Sequence, residues 1–300
     1  MTQAQLNLDY RSAPLLSPRP RNAARKTAIS FFVHIMLVIA ASLSLVPFIW
    51  LLCATLKRGD DLFIYSFLPW DNLGRLTFAN FVSLFHRQFF GRWIVNSIFL
   101  TSLQTAIVVT LSSLGGFALA KYEFRFKRTL QAIMLGTMLL PAQVMLPSSY
   151  ELMYHFGWMN SYWSIIVPGS VSVFGMFLFR QAMEGVPDEL LQAARVDGCS
   201  ELRLWWEIAL PVVRPMLGAF TLMSFLSAWN SYLWPSIMLQ DQGKYTLPMA
   251  LGNMASMSEF QTQFGVLMAG TLISILPVMI LFFAMQKEFI SGLTSGAIKG

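Results

Sequence analysis

The stretch Gln192-Ala-Ala-Arg-Val-Asp-Gly198, separated by nine residues from Ile208-Ala-Leu-Pro211, decides the reading of this chain. It lies in a polar, charge-rich segment from Arg180 to Arg214 that is flanked by long apolar runs. Pro187 suits the first helical position, where its missing N–H costs nothing. Asp188 and Glu189 then fall in the first turn, at the positive end of the helix dipole. The pattern predicts a helix over Asp188–Val196 that stops at Asp197-Gly198, glycine being suited to a left-handed turn. Ser200 is placed to cap a second helix, Glu201–Ile208, which Leu210-Pro211 should break. Ala193 and Ala194 leave a face without bulky side chains, which a partner's backbone can approach closely. The segment reads either as a docking surface or as a plain helical hairpin lying on a membrane.

The rest of the composition supplies that membrane. The 300 residues are 55% hydrophobic and 12% charged, whereas about a quarter of the residues in a soluble domain are charged. An apolar run of about 20 residues forms a helix of roughly 30 Å, the thickness of the hydrocarbon core. Six runs qualify: Ile29–Leu56, Trp93–Ala120, Leu130–Ser149, Tyr162–Phe179, Pro215–Pro235 and Phe264–Met285. The fourth is the shortest and carries Pro168 and Gly169, so a core helix is its alternative reading. Six crossings put both termini on one side.

Lysine and arginine choose the side. Fifteen fall before the first run, between the second and third, in the 180–214 segment and in the tail; six fall in the opposite segments. The positive-inside rule then places both termini and the 180–214 segment in the cytoplasm, although Lys57 and Arg58 run against it. The net charge of +6 reflects this topology, and no nucleic-acid partner is expected. Residues 1–28 read as a disordered cytoplasmic arm, residues 29–92 as the first span with its external loop, residues 93–285 as the transmembrane core, and 286–300 as a cytoplasmic tail. Residues 1–28 are too long before the first apolar run for a cleaved signal. Thr77–Phe85 has helical spacing and should lie along the membrane surface. Cys53 and Cys199 fall on opposite sides of the membrane, which leaves no disulfide framework.

No Gly-x4-Gly-Lys-Ser/Thr phosphate loop occurs, so this chain cannot split ATP by that route. No catalytic, cofactor or metal site is expected. Ionisable residues inside spans mark proton relays and ion sites; here His34 is the one within a span, near its cytoplasmic end. The spans instead carry Asn96, Gln104, Gln143 and Asn230, with many Ser and Thr. Neutral groups of this kind suit the path of an uncharged polar solute, and they equally serve helix packing.

The opening stretch closely resembles the signature loop of bacterial ABC importer permeases, which reads Glu-Ala-Ala, three residues, Gly, nine residues, Ile, one residue, Leu-Pro. Every spacing agrees, and Gln192 stands where the family usually has glutamate. Trp93-Ile-Val-Asn-Ser97, Ala118-Leu-Ala-Lys-Tyr-Glu-Phe124, Phe177-Leu-Phe-Arg-Gln181, Ala228-Trp-Asn230, Tyr245-Thr-Leu-Pro248 and the Gly-rich tail also look familiar. From about Trp50 to Gly300 the chain resembles the carbohydrate-uptake branch, of the type of the smaller maltose-importer permease.

That resemblance implies an all-α membrane protein of six transmembrane helices with a cytoplasmic coupling helix–turn–helix, in a bacterial inner membrane. It implies a second homologous permease subunit, two cytoplasmic ATPase subunits and an external solute-binding protein as partners, besides membrane lipid. Glu189, Gln192, Ala193, Ala194, Asp197, Gly198, Ile208, Leu210 and Pro211 would form the ATPase-coupling loop. Gly292, Gly296, Lys299 and Gly300 would lie in an extended tail against the ATPases, and Ser236–Gln263 would face the binding protein. The implied solute is a sugar, with another small polar solute such as glycerol-3-phosphate as the alternative. An ion-coupled secondary transporter is disfavoured by the missing intramembrane carboxylates.

Overall fold

A computed structural model describes residues 23–62, 64–86, 89–256 and 263–295. Among them every regular element is helical: α1 (Ala23–Leu56), α2 (Ala79–Phe85), α3 (Phe90–Lys121), α4 (Lys127–Met138), α5 (Leu146–His155), α6 (Trp163–Gly169), α7 (Val173–Glu184), α8 (Asp188–Val196), α9 (Glu201–Val212), α10 (Arg214–Trp229), α11 (Leu233–Met238), α12 (Leu247–Ser256) and α13 (Phe264–Ser295). The chain divides into two compact units between Leu51 and Leu52.

The first unit contributes most of α1. Every side chain from Ile29 to Ile49 is exposed, and a helix apolar all round is a helix made for lipid. The Ser44 hydroxyl donates to the Ala40 carbonyl at 2.9 Å and the His34 ring meets the Ser30 carbonyl at 2.6 Å. Both polar groups are thus satisfied within the helix, as hydrocarbon demands. The helix begins at Ala23, six residues before the expected Ile29; residues 1–22 of the expected arm lie outside the described residues.

The second unit is organised around α3, which packs on α7 and α10, while α10 packs on α13. Apolar clusters form at its two ends. Phe90, Trp93, Trp229, Leu247 and Val266 meet at one; Phe117, Phe179, Leu191, Leu204, Trp205 and Phe220 meet at the other. The α3–α7 crossing is tight because it runs over glycine. A Cβ on Gly116 would lie 2.5 Å from that of Phe179, so only glycine lets the backbones come this close.

Among the described residues four helices are long and apolar enough to cross a membrane alone: Thr27–Leu56, Phe90–Lys121, Trp163–Glu184 and Phe264–Glu288. The expected span Leu130–Ser149 is instead a bent pair, α4 and Ala142–His155 meeting at 94°. Pro141, extended at φ −62° and ψ 130°, is the corner. The expected span Pro215–Pro235 stops at Trp229, and α10 turns from α9 by 89° at Val213. The expected Tyr162–Phe179 runs on to Glu184, interrupted between Gly169 and Val173. A helix forms within the expected Thr77–Phe85 stretch, over Ala79–Phe85, as α2.

Candidate functional site

The hairpin of α8 and α9 forms as its sequence directs. Pro187 is extended and sits one position before the helix, not within it, so that Asp188 and Glu189 open the first turn. At the other end the Gly198 N–H donates to the Arg195 carbonyl and the Cys199 N–H to the Ala194 carbonyl, each at 3.0 Å. This pair of bonds is the Schellman stop, and Gly198 adopts φ +83° to make it. Ser200 precedes α9 in extended form without a side-chain cap; its carbonyl accepts the Leu204 N–H at 2.9 Å.

Leu210-Pro211 does not break the second helix. Residues Leu204–Ala209 widen into a π turn, and the Leu210 N–H bonds back to Trp205. A proline ring collides with the carbonyl four residues earlier in an α-helix, and the wider turn accommodates it. The chain bends later, at Val213. Leu210 is buried, Ile208 half-buried and Pro211 exposed. The two alanines also part: Ala193 is exposed, whereas Ala194 packs against the Leu191, Leu204 and Trp205 cluster. Adjacent helical residues point about 100° apart, so they cannot share one face.

The hairpin's exposed side presents Glu189, Gln192, Ala193 and Asp197, together with Val196, Leu202 and Trp206. Most neighbouring charges are already paired. Arg180 meets Glu184 at 3.0 Å, and Arg203 meets Glu207 at 3.3 Å. Glu189 and Asp197 carry no ion pair among the described residues.

Sequence reasoning missed what holds this hairpin. Lys121, the last residue of α3, donates from Nζ to Asp188 Oδ1 at 2.7 Å and to the Val186 carbonyl at 2.6 Å. The next residue, Tyr122, donates its hydroxyl to Glu201 Oε2. Arg195 grips the same carboxylate from Nε at 2.9 Å and Nη2 at 3.1 Å. Burial, then the hydrogen bond to Glu201, pushes the Tyr122 phenol above its ordinary 10.0, so it remains a donor. The hydrogen bond to Glu201 likewise raises the Arg195 guanidinium. The only sequence signal was the familiar run Ala118–Phe124.

A cavity of about 420 Å³ opens between α3, the break before α7, and α10. Gln104, Thr105, Ser172, Ser224, Ser227 and Ser231 supply its polar lining, and Val108, Phe174, Phe220 and Met223 its apolar one. Among the described residues no ionisable side chain lines it. Irregular backbone at membrane depth is tolerated where it lines such a cavity, which accounts for the interruption at 170–172. Gln104 donates to the Gly169 carbonyl at 3.2 Å at the edge of this break.

Of the four expected path residues, Gln104 alone lines the cavity. Asn96 is buried and donates to the Gly243 and Tyr245 carbonyls at 3.0 and 3.1 Å, which makes it a tie between segments. Asn230 turns back to the Leu226 carbonyl at 2.9 Å, although its neighbour Ser231 lines the cavity. Gln143 is exposed on the turn after Pro141. Ser172, Ser224, Ser227 and Ser231 were missed, because serine is common in packed helices and only the fold converges these four. In the tail, Gly292 lies inside α13, helical to Ser295 and not extended; Gly296, Lys299 and Gly300 lie outside the described residues.

An all-helical membrane body with a charge-free polar cavity and a braced, outward-facing helical hairpin defines a membrane transport component. The chain belongs to the family described as binding-protein-dependent transport system inner membrane component, whose model matches residues 112–293. It is similar to the arabinooligosaccharides transport system permease protein AraQ of Bacillus subtilis, with 32% identity covering 95% of this chain and 100% of that one. It is similar also to the lactose transport system permease protein LacG of Rhizobium radiobacter, with 31% identity over 88% and 94%. The sn-glycerol-3-phosphate permease UgpE of Yersinia pestis shares 29% over 89% and 97%. A solved bacterial ABC transporter involved in import of the acidic polysaccharide alginate has the same fold, with a TM-score of 0.78 and 24% identity over 91% of this chain and 100% of that one.

Proposed function

We propose that this chain is a permease subunit of an ATP-driven importer that moves a sugar across the bacterial inner membrane. The observation that carries the reading is the pairing of a braced hairpin with a free outer face and a hydroxyl-lined cavity without charge. The relatives' names, two of them sugar permeases, support the substrate class. A hydroxylated solute exchanges hydrogen bonds with Ser and Thr groups as it loses water, and the aromatic rings of Phe174 and Phe220 offer its apolar faces a surface. A glycerol phosphate calls for a cation, and no lysine or arginine lines the cavity.

In this reading the four long helices and the two bent pairs make six crossings with both termini cytoplasmic. The hairpin lies on the cytoplasmic side, where Glu189, Gln192, Ala193 and Gly198 meet an ATPase subunit. A second homologous permease, two ATPase subunits and an external solute-binding protein complete the machine, and ATP is split in the partner subunits. The 236–263 loop faces the binding protein, and the tail beyond Ser295 reaches the ATPases. Closure of the ATPase pair then drives transport by favouring one of two permease states.

The test is uptake by vesicles containing the complete complex. Sugar accumulation that requires ATP and the binding protein, and survives collapse of ion gradients, is the expected result. Accumulation driven by an ion gradient without ATP would overturn the reading in favour of a secondary transporter.

A further inference from the structure

The long helix α3 is held at both ends by side chains that reach into different functional loops. At one end the Trp93 indole N–H donates to the Gln242 carbonyl at 2.7 Å. Asn96 donates to the carbonyls of Gly243 and Tyr245. The Ser97 hydroxyl accepts the Leu247 N–H at 2.6 Å. Trp93, Asn96 and Ser97 are all buried, so water cannot replace these bonds, and sliding this turn along α3 would orphan several buried groups at once. At the other end Lys121 and Tyr122 hold the starts of both hairpin helices, through Asp188 and Glu201.

Between these ends nothing gives way. The helix is continuous over its 32 residues and contains no proline, while its neighbours are interrupted at 170–172 and turned at Val213. Asn96 and Lys121 are 25 positions apart in the sequence, which in an α-helix is roughly 38 Å. Gln104, Thr105 and Val108 line the cavity from the same stretch.

We propose that α3 is a connecting rod: it ties the 240–247 turn, within the binding-protein loop, to the ATPase-docking hairpin, so that displacement at one end is delivered to the other and to the cavity wall between them. This rests on the importer reading given above. Lys121, Tyr122 and Asn96 are then positioning residues, acting through the helix and touching neither sugar nor ATP. Coupling of this kind is reciprocal, so the occupied binding protein favours the hairpin position that ATPase closure favours, and the reverse.

The experiment uses the complete complex in lipid discs and measures ATP hydrolysis with and without sugar-loaded binding protein. Asn96→Leu removes two of the four bonds named at one end and Lys121→Met the ion pair at the other, so each loosens one end and the double variant loosens both. Lys121→Arg keeps the charge and the donors. Trp234→Phe removes a comparable hydrogen bond, to the Ser164 carbonyl, that does not involve α3.

The expected result is that each single variant assembles with its partners while the ratio of stimulated to basal hydrolysis falls about 5-fold or more, the lower range of allosteric coupling. The double variant should do no worse than the weaker single, since one loosened end already limits what the rod transmits and the two losses cannot multiply. Lys121→Arg should recover most of the ratio, and Trp234→Phe should leave it intact. Unchanged stimulation in the singles, multiplicative losses in the double, equal loss in Trp234→Phe, or failure of the variants to assemble would each overturn the rod. A wild-type complex whose hydrolysis ignores the loaded binding protein would overturn the importer reading and the rod with it.

Discussion

The Cys199 N–H closes onto the Ala194 carbonyl at 3.0 Å, and Gly198 between them takes φ +83° to allow it. Its two chain neighbours apart, no residue has an atom within 4 Å of where a Gly198 Cβ would lie. The requirement for glycine is therefore conformational, not steric. An L side chain in this region costs roughly 1–2 kcal/mol, with asparagine the residue that tolerates it best. Gly198→Asn should keep most ATP-driven uptake, and Gly198→Val and Gly198→Glu should lose it while still inserting in the membrane. Equal uptake by the valine and asparagine variants, at equal membrane levels, would show that the turn does not shape the docking surface.

Glu189 and Gln192 stand one helical turn apart on the exposed side of α8. Asp188 is engaged by Lys121, which leaves Glu189 as the carboxylate beside Gln192 that is free to meet a basic partner. A glutamine hydrogen bond contributes about 0.5–1.5 kcal/mol, whereas a close interfacial ion pair can contribute about 1.5 kcal/mol or more. Glu189→Gln should weaken ATPase association more than Gln192→Ala, and that difference should shrink at high salt as the charge is screened. Association measured in detergent at two salt concentrations decides between them. A larger, salt-insensitive loss from Gln192→Ala would return the main role to Gln192.

Gln104 couples the cavity wall to the break before α7 through the Gly169 carbonyl. Gln104→Leu removes that donor and one polar group from the lining; leaving the part-buried Gly169 acceptor unpaired costs up to about 1–3 kcal/mol. Sugar uptake should fall about 5- to 150-fold by the corresponding factor, with ATPase association unchanged. Ser227→Ala, which removes one hydroxyl without touching the break, should cost less. Uptake assays of the two variants at matched expression test the ranking; Ser227→Ala as damaging as Gln104→Leu would place the effect in solute contact alone.

Orientation is open to direct test. Reporter fusions after Ala120 and after Arg180 should score cytoplasmic, and fusions after Arg75 and after Gly252 external. External signal from the Arg180 fusion would put the hairpin on the wrong side of the membrane for an ATPase.

Much of the hairpin could be read in advance because its instructions are local. Helix α8 runs from Asp188 to Val196 as its acidic first turn and its glycine stop require, since both act within a few residues of where they are written. The apolar runs are legible for a similar reason, as length and hydropathy suffice to mark a helix suited to lipid. Pro211 shows the limit of local reading: proline breaks an α-helix, but the choice of a π turn in place of a break depends on which of Leu204, Trp205 and Leu210 the core will bury.

What the sequence by itself determined is therefore the membrane class, most helix positions and the glycine-stopped turn of the hairpin, all properties of neighbouring residues. Only the tertiary structure decided that Asn96 ties two segments while Gln104 lines a cavity. Both are neutral amides in the same apolar helix, and their sequence surroundings do not tell them apart. It likewise brought Ser97 to Leu247, Lys121 to Asp188 and Tyr122 to Glu201. Those partners lie far apart along the chain, so their bonds exist only once α3 has packed among α7, α10 and the hairpin; the Ser97–Leu247 bond is also shut off from water by burial, whereas the Asp188 and Glu201 carboxylates stay exposed.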